Sequence, residues 1–228
     1  MIELNKKYPV YAISGNRETG MAMQYIKSLE EGNNVSWDIN STMGAPLLSM
    51  ERMSESSKEY ITSLKDSLIL NFDNADSIYL QHKMPLSEEV RNYLNEKGIK
   101  NVLTAHTHEN HINNYDGFEL FNPGSVGLTD TGIPGADYGV MTYRNNHWIM
   151  EQKHVDYDYE QQIENCKNNT DLMENCKYWG KALIAAIQTG INVPALYMFE
   201  KNRIAKLYTE NPNLTEFPLE EISFGIGR

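Results

Sequence analysis

Short apolar runs alternate with helix-forming stretches along the first two thirds of this chain of 228 residues. Each run has the length of a buried strand, and the four clearest are residues 8–14, 68–72, 77–80 and 101–104. Ser87 is the predicted N-cap of a helix through residue 97, because acids fill its first turn and Gly98 follows its end. Strands that alternate with helices pack as a sheet covered by helices, so the sequence predicts an α/β core.

Turn residues organise the rest of the predicted core. Residues 73–76 (DNAD) and 144–146 (RNN) are polar turns between apolar runs, which is typical of hairpins. Ser54 or Ser56 is the predicted N-cap of a second helix. The other predicted elements are strands at 118–121, 138–143 and 147–155, helices at 21–30 and 50–64, and a loop at 32–46.

The sequence changes character at Asp156. From there on it contains no strand pattern, and its helical patterns cover residues 159–168, 174–189 and 194–208. Breaks are predicted near Asn169 and at Gly190. We therefore expect an α/β core over residues 1–155 and a helical C-terminal appendage over residues 156–228, packed on that core.

The charge balance limits the partners that the chain can bind. The chain carries 20 Lys and Arg against 31 Asp and Glu, a formal net charge of −11. Nucleic-acid phosphates attract clustered Lys and Arg, so no nucleic-acid binding is expected. A small anionic substrate would need a local positive centre, such as a metal ion.

The cysteines and the apolar runs indicate the compartment. Cys166 and Cys176 are too few for a disulfide framework, which favours the reducing cytoplasm. The lysines near the N-terminus are not followed by the apolar run of a signal peptide, and no stretch of 18 apolar residues predicts a membrane span. We expect a cytoplasmic protein without membrane contact, and the sequence leaves homo-oligomerisation open.

Three of the six histidines crowd into residues 105–111 (AHTHENH), directly after a predicted strand. Side chains two residues apart project the same way from extended backbone, so His106 and His108 are expected to converge. Neutral imidazole is a common ligand of transition metals. The segment is therefore either part of a metal site or a histidine-rich surface loop.

Two further residues favour the metal site. His82 follows the run at 77–80, and Asn16 follows Gly15 at the end of the run at 8–14. Open α/β sheets place their sites beyond the carboxyl ends of the strands. Each residue alone is a common strand-end or turn residue, but together they predict one site assembled from three strand ends.

Four fragments resemble motifs of the calcineurin-like metallophosphoesterases, and more narrowly of their small bacterial phosphodiesterase branch. Residues 9–18 (PVYAISGNRE) resemble the family's GNH[D/E] motif, and residues 81–85 (QHKMP) resemble its isolated His with a trailing Pro. Residues 104–108 (TAHTH) resemble its GHTH motif, and residues 121–127 (FNPGSVG) resemble its NPGS motif, in the same order along the chain. The resemblance implies a four-layer α/β/β/α sandwich with a dinuclear metal site at its strand ends.

The resemblance also implies a reaction and a ligand set. Members of the family hydrolyse phosphodiesters or phosphomonoesters with a hydroxide that two divalent metal ions activate, such as Mn, Fe, Zn or Ni. Asn16, His82 and His106 would bind one ion, and His108 would bind the other. Asn122 would shape the neighbouring loop and contact the substrate, a small phosphate ester.

Two features depart from the family pattern. No D-x-H or G-D motif precedes Gly15, so several ligands and the bridging carboxylate of the family are missing. Asp38, Glu18 and Glu109 are candidate substitutes for the carboxylates. Arg17 replaces the histidine of GNH; with a pKa above about 12 it cannot act as an acid, but it can hold a phosphate oxygen. We expect a truncated chain or, failing that, a degenerate relative.

Two functions follow from these observations. The first is a metal-dependent phosphoesterase in which Arg17 is the catalytic contact to the phosphate. The second is a non-catalytic module that keeps the fold and acts through partner binding. A cupin-like barrel can also contain H-x-H, but the predicted helices at 50–64 and 87–97 argue against it.

Overall fold

The structure, a computed structural model, describes residues 2–22, 26–27, 30–32, 49–175 and 177–195. Most of the loop predicted at 32–46 and of the helix predicted at 194–208 lies outside these residues, as do Asp38 and Cys176. A short helix α1 spans Ile2–Asn5, and a π-helical turn spans Arg17–Ala22. Of the helix predicted at 21–30, residues 21, 22, 26, 27 and 30 are described; the first two end the π-helical turn, and the other three are α-helical.

Five strands form the main sheet: β1 (Ser67–Phe72), β2 (Ala75–Gln81), β3 (Asn101–Leu103), β4 (Asn110–Tyr115) and β5 (Phe118–Pro123). Their order is β1-β2-β3-β5-β4. The three inner strands run parallel, whereas β1 and β4 pair antiparallel at the edges. The carboxyl ends of β2, β3 and β5 therefore meet at one edge of the sheet.

Local signals in the sequence explain most of these elements. Helix α2 (Glu55–Thr62) begins at Ser54, whose hydroxyl accepts a hydrogen bond from the Ser57 N–H, so the alternative start at Ser56 is wrong. Helix α3 (Glu88–Glu96) begins at Ser87, whose hydroxyl accepts from the Val90 N–H at 3.2 Å. The predicted mixed α/β fold is confirmed.

The second sheet contains β6 (Ala136–Arg144) and β7 (His147–Val155), joined at Asn145 and Asn146. Both turn residues have positive φ, as a two-residue hairpin turn requires. Two apolar clusters lie between the layers. In the first, the buried side chains of Leu94, Val102 and Phe118 pack α3 against the main sheet. In the second, buried side chains pack the two sheets against each other: Ile78, Phe121, Trp148 and Met150.

Three helices follow the second sheet: α4 (Tyr159–Lys167), α5 (Thr170–Asn175) and α6 (Lys177–Thr189). They enclose an apolar cluster of their own, which Leu128 joins from the loop after β5. The Gly190 carbonyl accepts hydrogen bonds from the Thr131 and Gly132 N–H groups at 3.0 and 2.9 Å. The helices thus dock onto that loop. The division of the chain at residue 155 stays a prediction.

The prediction of a buried strand at residues 8–14 is wrong. Tyr8 and Tyr11 are 58% and 63% exposed, and the segment forms only an isolated bridge between Ile13 and Lys65. A strand persists through its ladder of hydrogen bonds to a neighbour. Within the described residues this segment pairs with another segment only at Ile13, near its end, so Tyr8 and Tyr11 remain exposed to solvent.

Strand β4 was not predicted, because residues 105–111 read as a loop. Its turn to β5 is Asp116-Gly117, and both residues have positive φ. Asp-Gly between apolar residues is a strong hairpin signal, so the sequence did carry it. Within the described chain, no helix is both long and apolar enough to cross a bilayer.

Candidate metal centre

The predicted ligands lie where the inner strands of the main sheet end. His82 follows β2 directly, and the loop with His106 follows β3. The His82 carbonyl accepts a hydrogen bond from the Ala105 N–H at 3.0 Å, which ties the two segments together. The strand-end location predicted from the sequence therefore follows from the parallel pairing of β2 and β3.

Three of the predicted ligands converge on one point. The Nδ1 atom of His106 lies 3.3 Å from Nε2 of His82 and 3.1 Å from the side-chain amide of Asn16. The two rings meet edge to face, with centroids 5.1 Å apart. Asn16 reaches this point from the far N-terminal end of the chain, just before the π-helical turn at Arg17–Ala22.

This spacing fits a shared transition-metal ion. Metal–nitrogen bonds are about 2.0–2.1 Å long, so two nitrogens on one tetrahedral ion lie about 3.3–3.4 Å apart. The 3.3 Å between the imidazole nitrogens of His82 and His106 matches that value. The Asn16 atom at 3.1 Å from His106 is its amide nitrogen, Nδ2, which donates to Nδ1. The oxygen of the same amide is the atom that would serve as a third ligand.

Electrostatics favours the neutral, metal-binding form of both imidazoles. Burial lowers the pKa of His82, and the neighbouring His106 lowers it further. Burial also lowers the pKa of His106, followed by the positive charge of Lys83 and then by His108. Neutral imidazole has a lone pair for a metal ion, whereas imidazolium has none.

The extended backbone expected at His106 and His108 is wrong, since both residues are left-handed, with φ of 74° and 67°. The charge of His108 nevertheless lowers the pKa of His82 and of His106, so His108 lies near both rings. The Nδ1 atom of His108 lies 2.7 Å from the Leu128 carbonyl, which can only accept, so Nδ1 carries the proton. Its Nε2 then has the lone pair that a metal ligand needs.

Asn122 is fully buried at the end of β5, with 0% of its surface exposed. Its side-chain amide donates to the Ala105 carbonyl at 3.0 Å and to the Thr107 hydroxyl at 3.1 Å, and its Oδ1 accepts from the Gly124 N–H at 3.1 Å. The Asn122 amide thus ties the histidine loop to β5. Its contact with substrate stays a prediction.

Arg17 packs on the C-terminal helices. Its guanidinium carbon lies 5.0 Å from the ring centroid of Trp179, in the first turn of α6, and the Arg17 side chain is half-buried. Burial lowers its pKa and the carboxylate of Glu18 raises it. Trp179 itself is largely buried.

Acidic side chains contribute little to this cluster. The carboxylate of Glu18 accepts a hydrogen bond from the Gly15 N–H at 2.8 Å, and its charge also raises the pKa of His82, so it lies beside the histidines. Glu109 is exposed on its loop. In the described part of the chain, no group of three or more His, Cys, Asp or Glu side chains is arranged to hold a metal ion.

The sequence reading missed two polar residues near the site. Lys83 acts on the pKa values of both His82 and His106, which places a cation beside the cluster. Its position directly after His82 was the available signal. Asn192 lies 3.4 Å from Nδ1 of His108 and comes from the segment after α6, so no local pattern pointed to it.

The remaining histidines lie in β4 and β7. His111 lies in β4, and exposed His147 contacts the Asn145 carbonyl at its own hairpin turn. His154 pairs through Nδ1 with the buried carboxylate of Asp137 at 2.8 Å. A cavity of about 320 Å³ adjoins the cluster at Asn16 and His82.

Comparisons with known proteins show the family and the fold of the chain. The family described as the calcineurin-like phosphoesterase superfamily domain matches residues 1–146. A hypothetical protein from Pyrococcus horikoshii OT3 is similar in structure, with a TM-score of 0.56, 16% identity, and coverage of 78% of this chain and 75% of that one. A metallophosphoesterase from Sphaerobacter thermophilus is similar at a TM-score of 0.51 and 16% identity, covering 83% and 81%. No curated protein matches the chain in sequence.

Proposed function

The chain belongs to the calcineurin-like phosphoesterase superfamily, and from this premise we propose that it is a metal-dependent hydrolase of small phosphodiesters or phosphomonoesters. The observation that carries the proposal is the meeting of Asn16, His82 and His106 at the strand ends. The 3.3 Å between the two imidazole nitrogens is within hydrogen-bond range, and a shared metal ion would produce the same spacing.

Each residue has a distinct part in this proposal. Asn16, His82 and His106 would hold one divalent ion, and His108 would offer Nε2 to a second. Bound divalent ions neutralise phosphate charge and activate water for in-line attack. Imidazole ligands suit Mn, Fe, Zn or Ni, and Mn is our first choice for an assay.

The cations of the chain bind and orient the substrate. Arg17 would hold a phosphate oxygen through its planar N–H groups and stabilise the charge that grows during the reaction. Lys83 would attract the anion to a protein whose net charge is −11. Arg17 cannot release a proton near neutral pH, so the proposed enzyme favours esters whose alcohol leaves without protonation, such as aryl esters.

The test is turnover of bis(p-nitrophenyl) phosphate by the full chain with added Mn²⁺. We expect hydrolysis by the wild type and its loss in His106→Ala, because that ring contacts both other ligands. His147→Ala is the matched control, since it removes an exposed imidazole far from the strand ends. Undiminished turnover in His106→Ala would contradict the proposal.

A non-catalytic module is the second candidate. It is favoured by the scarcity of carboxylates around the histidines in the described residues. The metal content of the purified chain separates the candidates together with the assay above. Retained metal without turnover on either an aryl diester or an aryl monoester would favour the module.

We also propose a cytoplasmic location and the division into residues 1–155 and 156–228. The location rests on the sparse cysteines, of which Cys166 is a free, buried thiol. The division rests on the separate apolar cluster within α4, α5 and α6. Small phosphate esters are the proposed substrates, and no nucleic-acid partner is proposed.

A further inference from the structure

Helix α6 contacts the site near both of its ends. In its first turn, Trp179 lies against the guanidinium of Arg17, the residue that follows the proposed ligand Asn16. Just beyond its last turn, Asn192 contacts His108, and its N–H donates to Asp130 at 2.9 Å. The helix therefore runs along the site rather than apart from it.

We propose that Trp179 is a positioning residue, which holds Arg17 in place for binding phosphate and makes helix α6 one wall of the substrate site. The inference rests on the proposed function, since it needs Arg17 to contact a phosphate. It assigns a role to the C-terminal helices that the predicted appendage did not have.

The contact has the geometry of a cation–π pair. A guanidinium within about 6 Å of an indole centroid is attracted by the negative face of the ring, and indole is the strongest partner. The observed distance is 5.0 Å. Trp179 is only 8% exposed, so the attraction acts where water screens it little.

The contact is compatible with phosphate binding. The indole attracts the guanidinium as a cation, whereas the N–H groups that bind phosphate project outward in the guanidinium plane. An arginine held against a ring also has fewer conformations to lose when an anion binds, which raises its affinity. Trp179 itself is fixed by the apolar cluster of α4, α5 and α6, so it can hold Arg17 rather than follow it.

The experiment is a double-mutant cycle with inorganic phosphate as the probe. Isothermal titration calorimetry measures phosphate affinity of the full chain, equilibrated with Mn²⁺, for the wild type, Trp179→Leu, Arg17→Ala and the double variant. We expect Trp179→Leu to weaken binding about threefold to tenfold in the wild type. In the Arg17→Ala background the same change should have no effect.

Trp179→Phe is the conservative variant, because it replaces the indole by a smaller ring that still presents an aromatic face. It should recover most of the affinity lost in Trp179→Leu. Thermal melting of each variant identifies any that fails to fold. If Trp179→Leu does not fold, the comparison of Trp179→Phe with the wild type keeps the test valid.

Two results would overturn the inference while leaving the proposed function intact. One is unchanged phosphate affinity in Trp179→Leu while Arg17→Ala weakens it. The other is an equal loss from Trp179→Leu in both backgrounds, which would mean a general structural effect. Absence of phosphate binding by the wild type is a different result, because it removes the proposed function and the inference together.

Discussion

Asn122 ties the histidine loop to strand β5, and replacing it by alanine is expected to loosen the site and destabilise the protein. The variant loses three hydrogen bonds, to Ala105, Thr107 and Gly124, of 3.0, 3.1 and 3.1 Å. A hydrogen bond contributes about 0.5–1.5 kcal/mol net, and buried groups left unpaired cost more. The exposed Thr107 hydroxyl can turn to water. We therefore expect a loss of about 2–4 kcal/mol in the free energy of unfolding.

Urea unfolding of Asn122→Ala measures this loss, with the slope of the transition compared to confirm that the same surface unfolds. Asn114→Ala is the matched control, because Asn114 is exposed on the edge strand β4. Its effect should stay within about 0.5 kcal/mol. A loss below about 1 kcal/mol in Asn122→Ala, or equal losses in both variants, would refute the reasoning.

The same variant tests the link between this loop and the metal site. Asn122 holds the Ala105 carbonyl, one residue before His106. Loosening that segment should lower the Mn²⁺ content of folded protein, measured by elemental analysis after desalting. If Asn122→Ala retains wild-type metal content, Asn122 does not position the ligand loop.

Two further predictions concern stability. The hydrogen bond that His154 donates to the Asp137 carboxylate raises the pKa of His154, so His154 stabilises the fold when protonated. This stabilisation is complete below the ordinary pKa of about 6.5 and is lost as pH rises through the higher folded-state pKa. The urea-midpoint difference between wild type and His154→Gln should therefore shrink from pH 5 to pH 9, and a constant difference would contradict the assignment. Gly190→Ala should cost at least about 2 kcal/mol, since its φ is +65° and a Cβ would overlap the Ile133 backbone. Gly132→Ala, at φ +76° with open space around it, is the control in thermal melting, and equal losses would show that the overlap is harmless.

Elements with local signals were predicted well. Ser87 and Gly98 bound helix α3 because capping bonds and positive φ depend on residues within one turn. The strand predicted at 8–14 failed because a strand needs a neighbour, and composition says nothing about where that neighbour is. Strand β4 was missed although Asp116-Gly117 marked its turn.

The candidate site also contains features that the sequence predicted and features that it did not. The meeting of His82 and His106 could be predicted, because parallel neighbouring strands end at the same edge of a sheet. The assumption that His106 and His108 share an extended backbone was wrong, since both residues have left-handed φ values. Proximity in sequence therefore predicted less than position at a strand end.

The sequence by itself determined which chemical groups the chain offers and that His82 and His106 stand at strand ends, because turns and caps are encoded within a few residues. Only the tertiary structure decided that Asn122 is buried behind the histidine loop, that His108 turns to Leu128 and that Arg17 lies on Trp179. These contacts join segments far apart in the chain. They arise from the packing of the helices and the sheets on one another, and no local pattern of residues specifies that packing.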